Sequence, residues 1–127
     1  LVVPEAESAA LQAELINHDE WLAAIVCVTE VMRATHRWVT AAGVRGRAAA
    51  ARVTRAEEVL RSVALIDVDP ATVWRAGNVE PSELRSLDAI HLATAIDLAA
   101  DLEGLVTYDM RLAAAARTAG LAVLTPH

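Results

Sequence analysis

Four short strand-like runs separated by helical patterns constrain this chain more than any other feature. They are Trp21–Val28, Val63–Val68, Gly104–Tyr108 and Leu121–Leu124. The first is continuously apolar and bounded by polar residues, which suits a strand covered on both faces, as in a parallel sheet. Between them, apolar residues recur at helical spacing over Glu5–Asn17, from Thr29 through Val39, over Ala48–Ser62, over residues 70–78, from Ser86 to about Asp101, and over Met110–Ala119. Strands alternating with helices predict an α/β fold with a mostly parallel sheet. A single domain over residues 1–127 is the expected organisation, with roughly two-thirds of the unfolded surface buried at this length.

Local chemistry places the element ends. Asp69-Pro70 puts an acceptor at the N-cap and a proline at the first helical position. Thr29 and Ser86 are the N-caps expected for two other helices. Gly43 and Gly46 mark a break, and Gly120 a helix C-terminus. Hydrophobic residues make up 55% of the chain, but aromatics only 3%, and Phe is absent. The core is therefore built from Ala, Val, Leu and Ile, which lets elements approach closely. Cys27, the single cysteine, lies in an apolar run and reads as a small core residue in a reducing cytosol. No apolar run approaches the roughly 20 residues of a membrane helix, and no targeting segment is visible, so a cytoplasmic location is expected.

Charge is unevenly distributed. The net value is −6, yet residues 31–62 carry seven Arg against Glu57 and Glu58. Such a basic segment in an acidic protein suits one anionic partner surface, or else the wet faces of two Ala-rich helices. Every basic side chain is Arg. Chemistry that needs a lysine is thereby excluded, including that of phospho-acceptor receiver domains. Glycine-rich phosphate loops, a zinc H-E-x-x-H motif, paired cysteines and a G-x-S-x-G elbow are all missing. What remains is carboxylates where strands give way to helices: Glu30 after the first run, Asp88 in the first turn of the Ser86 helix, and Asp109 directly after Tyr108. Sites in open parallel sheets form at the carboxyl ends of strands. Three acids meeting there would repel one another unless a divalent cation lay between them, and oxygen ligands suit Mg²⁺ or Mn²⁺.

The run Leu84-Arg-Ser-Leu-Asp-Ala-Ile-His-Leu-Ala-Thr-Ala95, with Leu105-Val-Thr-Tyr-Asp-Met-Arg-Leu112, closely resembles the PIN-domain ribonuclease toxins of the VapC type. Val28-Thr-Glu-Val-Met-Arg-Ala34 resembles their second acidic motif, and Gly120–Pro126 their last strand. The resemblance implies a three-layer α/β/α domain. It also implies a metal-dependent endoribonuclease whose Mg²⁺ or Mn²⁺ is held by Glu30, Asp88 and Asp109, with the Thr107 hydroxyl ordering the site. His91 is placed beside that site by its position alone, one turn after Asp88, where a packed structural histidine is the ordinary alternative. The family's first acid, an aspartate ending the first strand, has no counterpart here. That strand is expected upstream of residue 1, because Leu1–Ser8 resembles the segment just after it. An RNA substrate (transfer or ribosomal), a cognate VapB-type antitoxin and a homodimer are the implied partners, with Arg33, Arg37, Arg45, Arg47, Arg52 and Arg55 as contacts to RNA or antitoxin. A catalytically inactive PIN-fold interaction module is the alternative, resting on the missing first acid.

Overall fold

A computed structural model describes residue 13 and residues 16–125. These fall into two compact units divided between Leu65 and Ile66. Of the expected helix Glu5–Asn17, only Ala13, Ile16 and Asn17 are described, and all three are helical. The rest of that helix, and the resemblance at residues 1–8, lie outside the described residues.

The first unit is a helical hairpin against a short strand. Strand β1 covers Leu22–Ala24, helix α1 Cys27–Ala41 and helix α2 Gly46–Arg61. Strand β2, Ala64–Ile66, pairs with β1, and the Ala64 amide donates to the Trp21 carbonyl at 2.8 Å. The turn between the helices uses Gly43 and Gly46 at φ of +67° and +60°. Those are left-handed conformations that cost an L-residue with a Cβ. Helices α1 and α2 pack together. Ala24, Thr35, Ala56 and Leu60 are buried in this unit. The Thr35 hydroxyl is satisfied by the Val31 carbonyl at 2.8 Å. On the outside, the Arg52 guanidinium lies 4.6 Å from the centre of the Trp38 ring, a cation–π contact joining the two helices.

In the second unit, helix α3 (Pro70–Ala76) packs on helix α4 (Ser86–Asp97). A single 3₁₀ turn, Ala99–Asp101, leads to strand β3 (Leu105–Val106), helix α5 (Met110–Thr118) and strand β4 (Val123–Leu124). Strands β3 and β4 are parallel, with Leu105 opposite Val123 and Val106 opposite Leu124. The core gathers Leu92 and Ala95 of α4, Leu112, Ala115 and Ala116 of α5, and Leu121. A second cluster joins Ala76, Ala89 and Ala93. Small side chains at these positions let α3 and α4 lie close, as the near absence of aromatics requires. The same economy appears at Gly104, where a Cβ would stand 3.0 Å from the Ala122 carbonyl oxygen. Arg75 on α3 pairs with Asp97 at the end of α4, and Asp97 also accepts from the Thr72 hydroxyl at 2.9 Å. The pair lets an acid stand at a helix C-terminus, where the macrodipole disfavours negative charge.

The α/β class is as expected, and several element ends differ. The run Trp21–Val28 is strand only over Leu22–Ala24, and Cys27 and Val28 already belong to α1. Val26, not Thr29, is the N-cap of α1, and it offers no side-chain bond. Cys27 is half-buried and not a core residue. Arg85, not Ser86, caps α4 by its extended backbone, and Ser86 is the first helical residue. Helix α4 stops at Asp97, four residues short of the expected end. By contrast, Asp69 caps α3 as expected, its carboxylate accepting from the Thr72 amide at 2.8 Å with Pro70 at the first position. Among the described residues no helix is long and apolar enough to cross a membrane.

Candidate active site

The second unit brings Asp88 and Asp109 to one place. Both line an open cleft of about 250 Å³, together with Leu84, Arg85, Met110 and Arg111. Asp88 is the third residue of α4, where its negative charge is favoured by the helix dipole. The face behind it is closed by Leu92 and Ala95, at 0% and 5% exposure. Asp88 itself is half-buried, so its carboxylate stands at the boundary between that apolar face and solvent.

Asp109 is fixed more tightly. It is the N-cap of α5, and its Oδ1 accepts from the Arg111 amide at 2.8 Å and the Leu112 amide at 3.0 Å. Its own amide donates to the Thr107 hydroxyl oxygen at 3.0 Å. Thr107 therefore orients the Asp109 backbone from two residues upstream. The Leu112 amide bond is the main cause that holds the Asp109 carboxyl below the usual aspartate range; burial opposes it, and the Arg111 amide and the Arg111 and Arg85 guanidiniums add lesser lowering effects. Both amides go to Oδ1, which leaves Oδ2 for a ligand.

The two roles of Asp109, cap and carboxylate, can be separated by substitution. Asp109→Asn keeps an N-cap acceptor and is expected to leave thermal stability nearly unchanged. Asp109→Ala removes the acceptor and should cost roughly 1 kcal/mol, the typical loss for a cap. Paired thermal melts of the two variants check this. Equal melting points would mean that the cap contributes nothing.

The remaining expected site residues are placed as follows. His91, one turn beyond Asp88, is half-buried and does not line the cleft. Glu30 belongs to the first unit, half-buried in the first turn of α1, where its charge adds to burial in raising the Cys27 thiol above its usual range. Arg33, Arg37, Arg45, Arg47 and Arg55 are exposed in that unit. Arg55 faces Glu58 at 3.6 Å, and Arg52 lies over Trp38. Two cleft residues, Arg85 and Arg111, were not singled out by the reading of the acids. The signal for them was adjacency alone, three residues before Asp88 and two after Asp109.

Among the described residues no group of three or more His, Cys, Asp or Glu is gathered as a metal cage. The cleft offers two carboxylates, one of them held ionised by backbone amides and guanidiniums. Hard oxygen donors of this kind fit Mg²⁺ or Mn²⁺, which take a few carboxylates and complete their shells with water and substrate oxygens. The donor chemistry thus fits the metal that the resemblance implies.

Comparison with known proteins agrees with this architecture. Residues 3–125 match the PIN domain family. The chain is 40% identical over 126 residues to Ribonuclease VapC46 of Mycobacterium tuberculosis, covering 99% of this chain and 89% of that protein. It is 39% identical over 133 residues to Ribonuclease VapC35 of the same organism, covering 99% and 89%. Ribonuclease VapC47 is 33% identical over 108 residues, covering 70% of this chain and 79% of its own length. No solved structure gives a significant match. The chain belongs to the PIN-domain family and, within it, to the VapC group.

Proposed function

We propose that this chain is a metal-dependent endoribonuclease toxin that hydrolyses RNA phosphodiester bonds, inhibits translation by doing so, and is neutralised by a cognate VapB-type antitoxin. The observation that carries the proposal is the meeting of Asp88 and Asp109, beside Arg85 and Arg111, in one cleft of a VapC-group chain. The relatives named as ribonucleases support the same reading.

In this reading Asp88 and Asp109 hold Mg²⁺ or Mn²⁺, with Glu30 as the further carboxylate that the family resemblance implies. Such an ion supplies a water nucleophile of lowered pKa and neutralises charge on the phosphoryl oxygens. The protein's part is to present its carboxylates already ionised and oriented. Asp109 is locked by two amide bonds and by Thr107, so little reorganisation accompanies substrate binding. Asp88 is anchored on a helix whose inner face is fully packed. Arg33, Arg37, Arg45, Arg47, Arg52 and Arg55 then attract the RNA backbone or receive the antitoxin, electrostatically and with a dependence on salt. The toxin works in the cytoplasm as a homodimer on transfer or ribosomal RNA.

Incubation of the antitoxin-free protein with total bacterial RNA tests the proposal. Discrete products are expected with Mg²⁺ or Mn²⁺ and none with EDTA. Cleavage that persists in EDTA would overturn metal dependence, and a folded, metal-supplied protein that leaves RNA intact would overturn the nuclease reading.

A further inference from the structure

The cleft holds more than its acids. Two of its six lining residues are arginines, Arg85 and Arg111. Each stands at the start of a helix, Arg85 as the N-cap of α4 and Arg111 in the first turn of α5. A cation there is opposed by the helix dipole, and acids or hydroxyl residues are the ordinary choice. Arg75 and Arg117, by contrast, sit in last turns, where the dipole favours them. Elsewhere the exposed arginines Arg55, Arg61 and Arg75 each pair with a neighbouring acid, Glu58, Glu57 and Asp97 respectively. Arg85 and Arg111 are exposed and form no such ion pair among the described residues. Two guanidiniums at unfavourable helix ends flank two carboxylates in a cleft open to solvent, near enough for both to act on the Asp109 charge. That arrangement leaves forked donors available to an anion with several oxygens, and arginine meets phosphate with two parallel hydrogen bonds.

We infer that Arg85 and Arg111 grip the RNA phosphates next to the bond cleaved at Asp88 and Asp109, and so set the register of the strand in the cleft. The inference rests on the nuclease reading of that cleft. It assigns the local grip to these two residues. The two guanidiniums offset the charge of the two carboxylates, which would otherwise repel a phosphodiester before any cation is bound.

Neither side chain makes a structural bond that a substitution would break. Arg85 caps α4 by its backbone alone, and the Arg111 amide bonded to Asp109 is kept in any replacement. Arg85→Gln and Arg111→Gln should therefore melt near the wild-type temperature, since each removes a cation from a helix N-terminus and with it an attraction to Asp109, two effects of opposite sign. Arg117→Gln, exposed at the far end of α5, removes the same charge away from the cleft and serves as the control.

The test is binding of a fluorescent single-stranded RNA oligonucleotide in EDTA, measured by anisotropy over a range of salt concentrations, together with KM and kcat in Mg²⁺. Each cleft variant is expected to bind about tenfold more weakly. Its log–log salt slope should be shallower by about 0.7. Its KM should rise, and Arg111→Lys should recover the slope but only part of the affinity. Arg117→Gln should stay within about twofold of wild type, the small effect of a distant, screened charge. No RNA binding by the wild type, or cleft variants that behave like Arg117→Gln, would overturn the inference. If the cleft variants lost binding to poly-glutamate but not to RNA, the arginines would belong to an acidic protein partner, which also overturns it. The two readings fail differently. Asp88-dependent cleavage with unchanged RNA binding in the cleft variants rejects the grip alone. Arginine-dependent RNA binding without cleavage rejects the nuclease and leaves the grip standing.

Discussion

Asp88→Asn is expected to lower RNA cleavage by at least about a hundredfold, the scale on which a directly acting acid, base or charge-stabilising group contributes. The substitution is nearly isosteric, and Asn is tolerated in the first turn of a helix. The packing behind the residue, through Leu92 and Ala95, does not involve the carboxylate. Circular dichroism and the melting temperature should therefore match wild type while end-labelled RNA stays intact. A variant that cleaved at the wild-type rate would remove Asp88 from the chemistry and leave it as a dipole-favoured surface acid.

Leu92→Ala carries the largest expected effect on stability. Leu92 is the largest fully buried side chain among the described residues, at 0% exposure. It lies where α4 meets α5, with Leu112, Ala115, Ala116 and Leu121 around it. Its buried neighbours include Ala95, Ala115 and Ala116, which have no rotamers with which to fill a void. The loss should fall at roughly 2–5 kcal/mol, the range for such truncations. For a domain with about 5–15 kcal/mol in total, a large part of the folded population is at stake. Urea unfolding checks this; a loss below about 1 kcal/mol would mean that the α4–α5 contact contributes little.

How much of this was legible in the sequence depended on whether the deciding chemistry was local. Asp69-Pro70 announces a helix start because the cap acceptor, the missing N–H and the fixed φ all lie within two residues. Asp109 is of the same kind, and its place after a short strand also marked it as a site acid. Gly43 and Gly46 signalled a turn through a backbone conformation that other residues avoid. The extent of β1 was not legible. Trp21–Val28 is a continuous apolar run, and such a run fits a buried strand or a buried helix turn equally well. In the structure Cys27 and Val28 belong to the first turn of α1. Ser86 looked like a cap because its hydroxyl suits the position, but the chain is already extended at Arg85, and a cap is defined by backbone geometry.

The site shows the same division. Asp88 and Asp109 could each be assigned to a helix start from local pattern and from the resemblance to VapC toxins. That they share a cleft depends on α4 and α5 packing through Leu92, Ala95, Leu112 and Ala115, a contact between segments some twenty residues apart. Arg85 and Arg111 passed unmarked because an arginine beside a motif is ordinary in sequence. Their importance comes from facing the same opening as the two acids.

If Asp88 and Asp109 act together on one RNA phosphodiester, their substitutions are coupled. A double-mutant cycle measures that coupling: initial rates of cleavage of one end-labelled RNA by wild type, Asp88→Asn, Asp109→Asn and the double variant, all shown to be folded. Groups that work as a unit are non-additive. Each single variant is expected to fall at least about a hundredfold, and the double variant to be no slower than the slower single one. Effects that multiply in the double variant, or a single variant that keeps wild-type cleavage, would contradict that joint action.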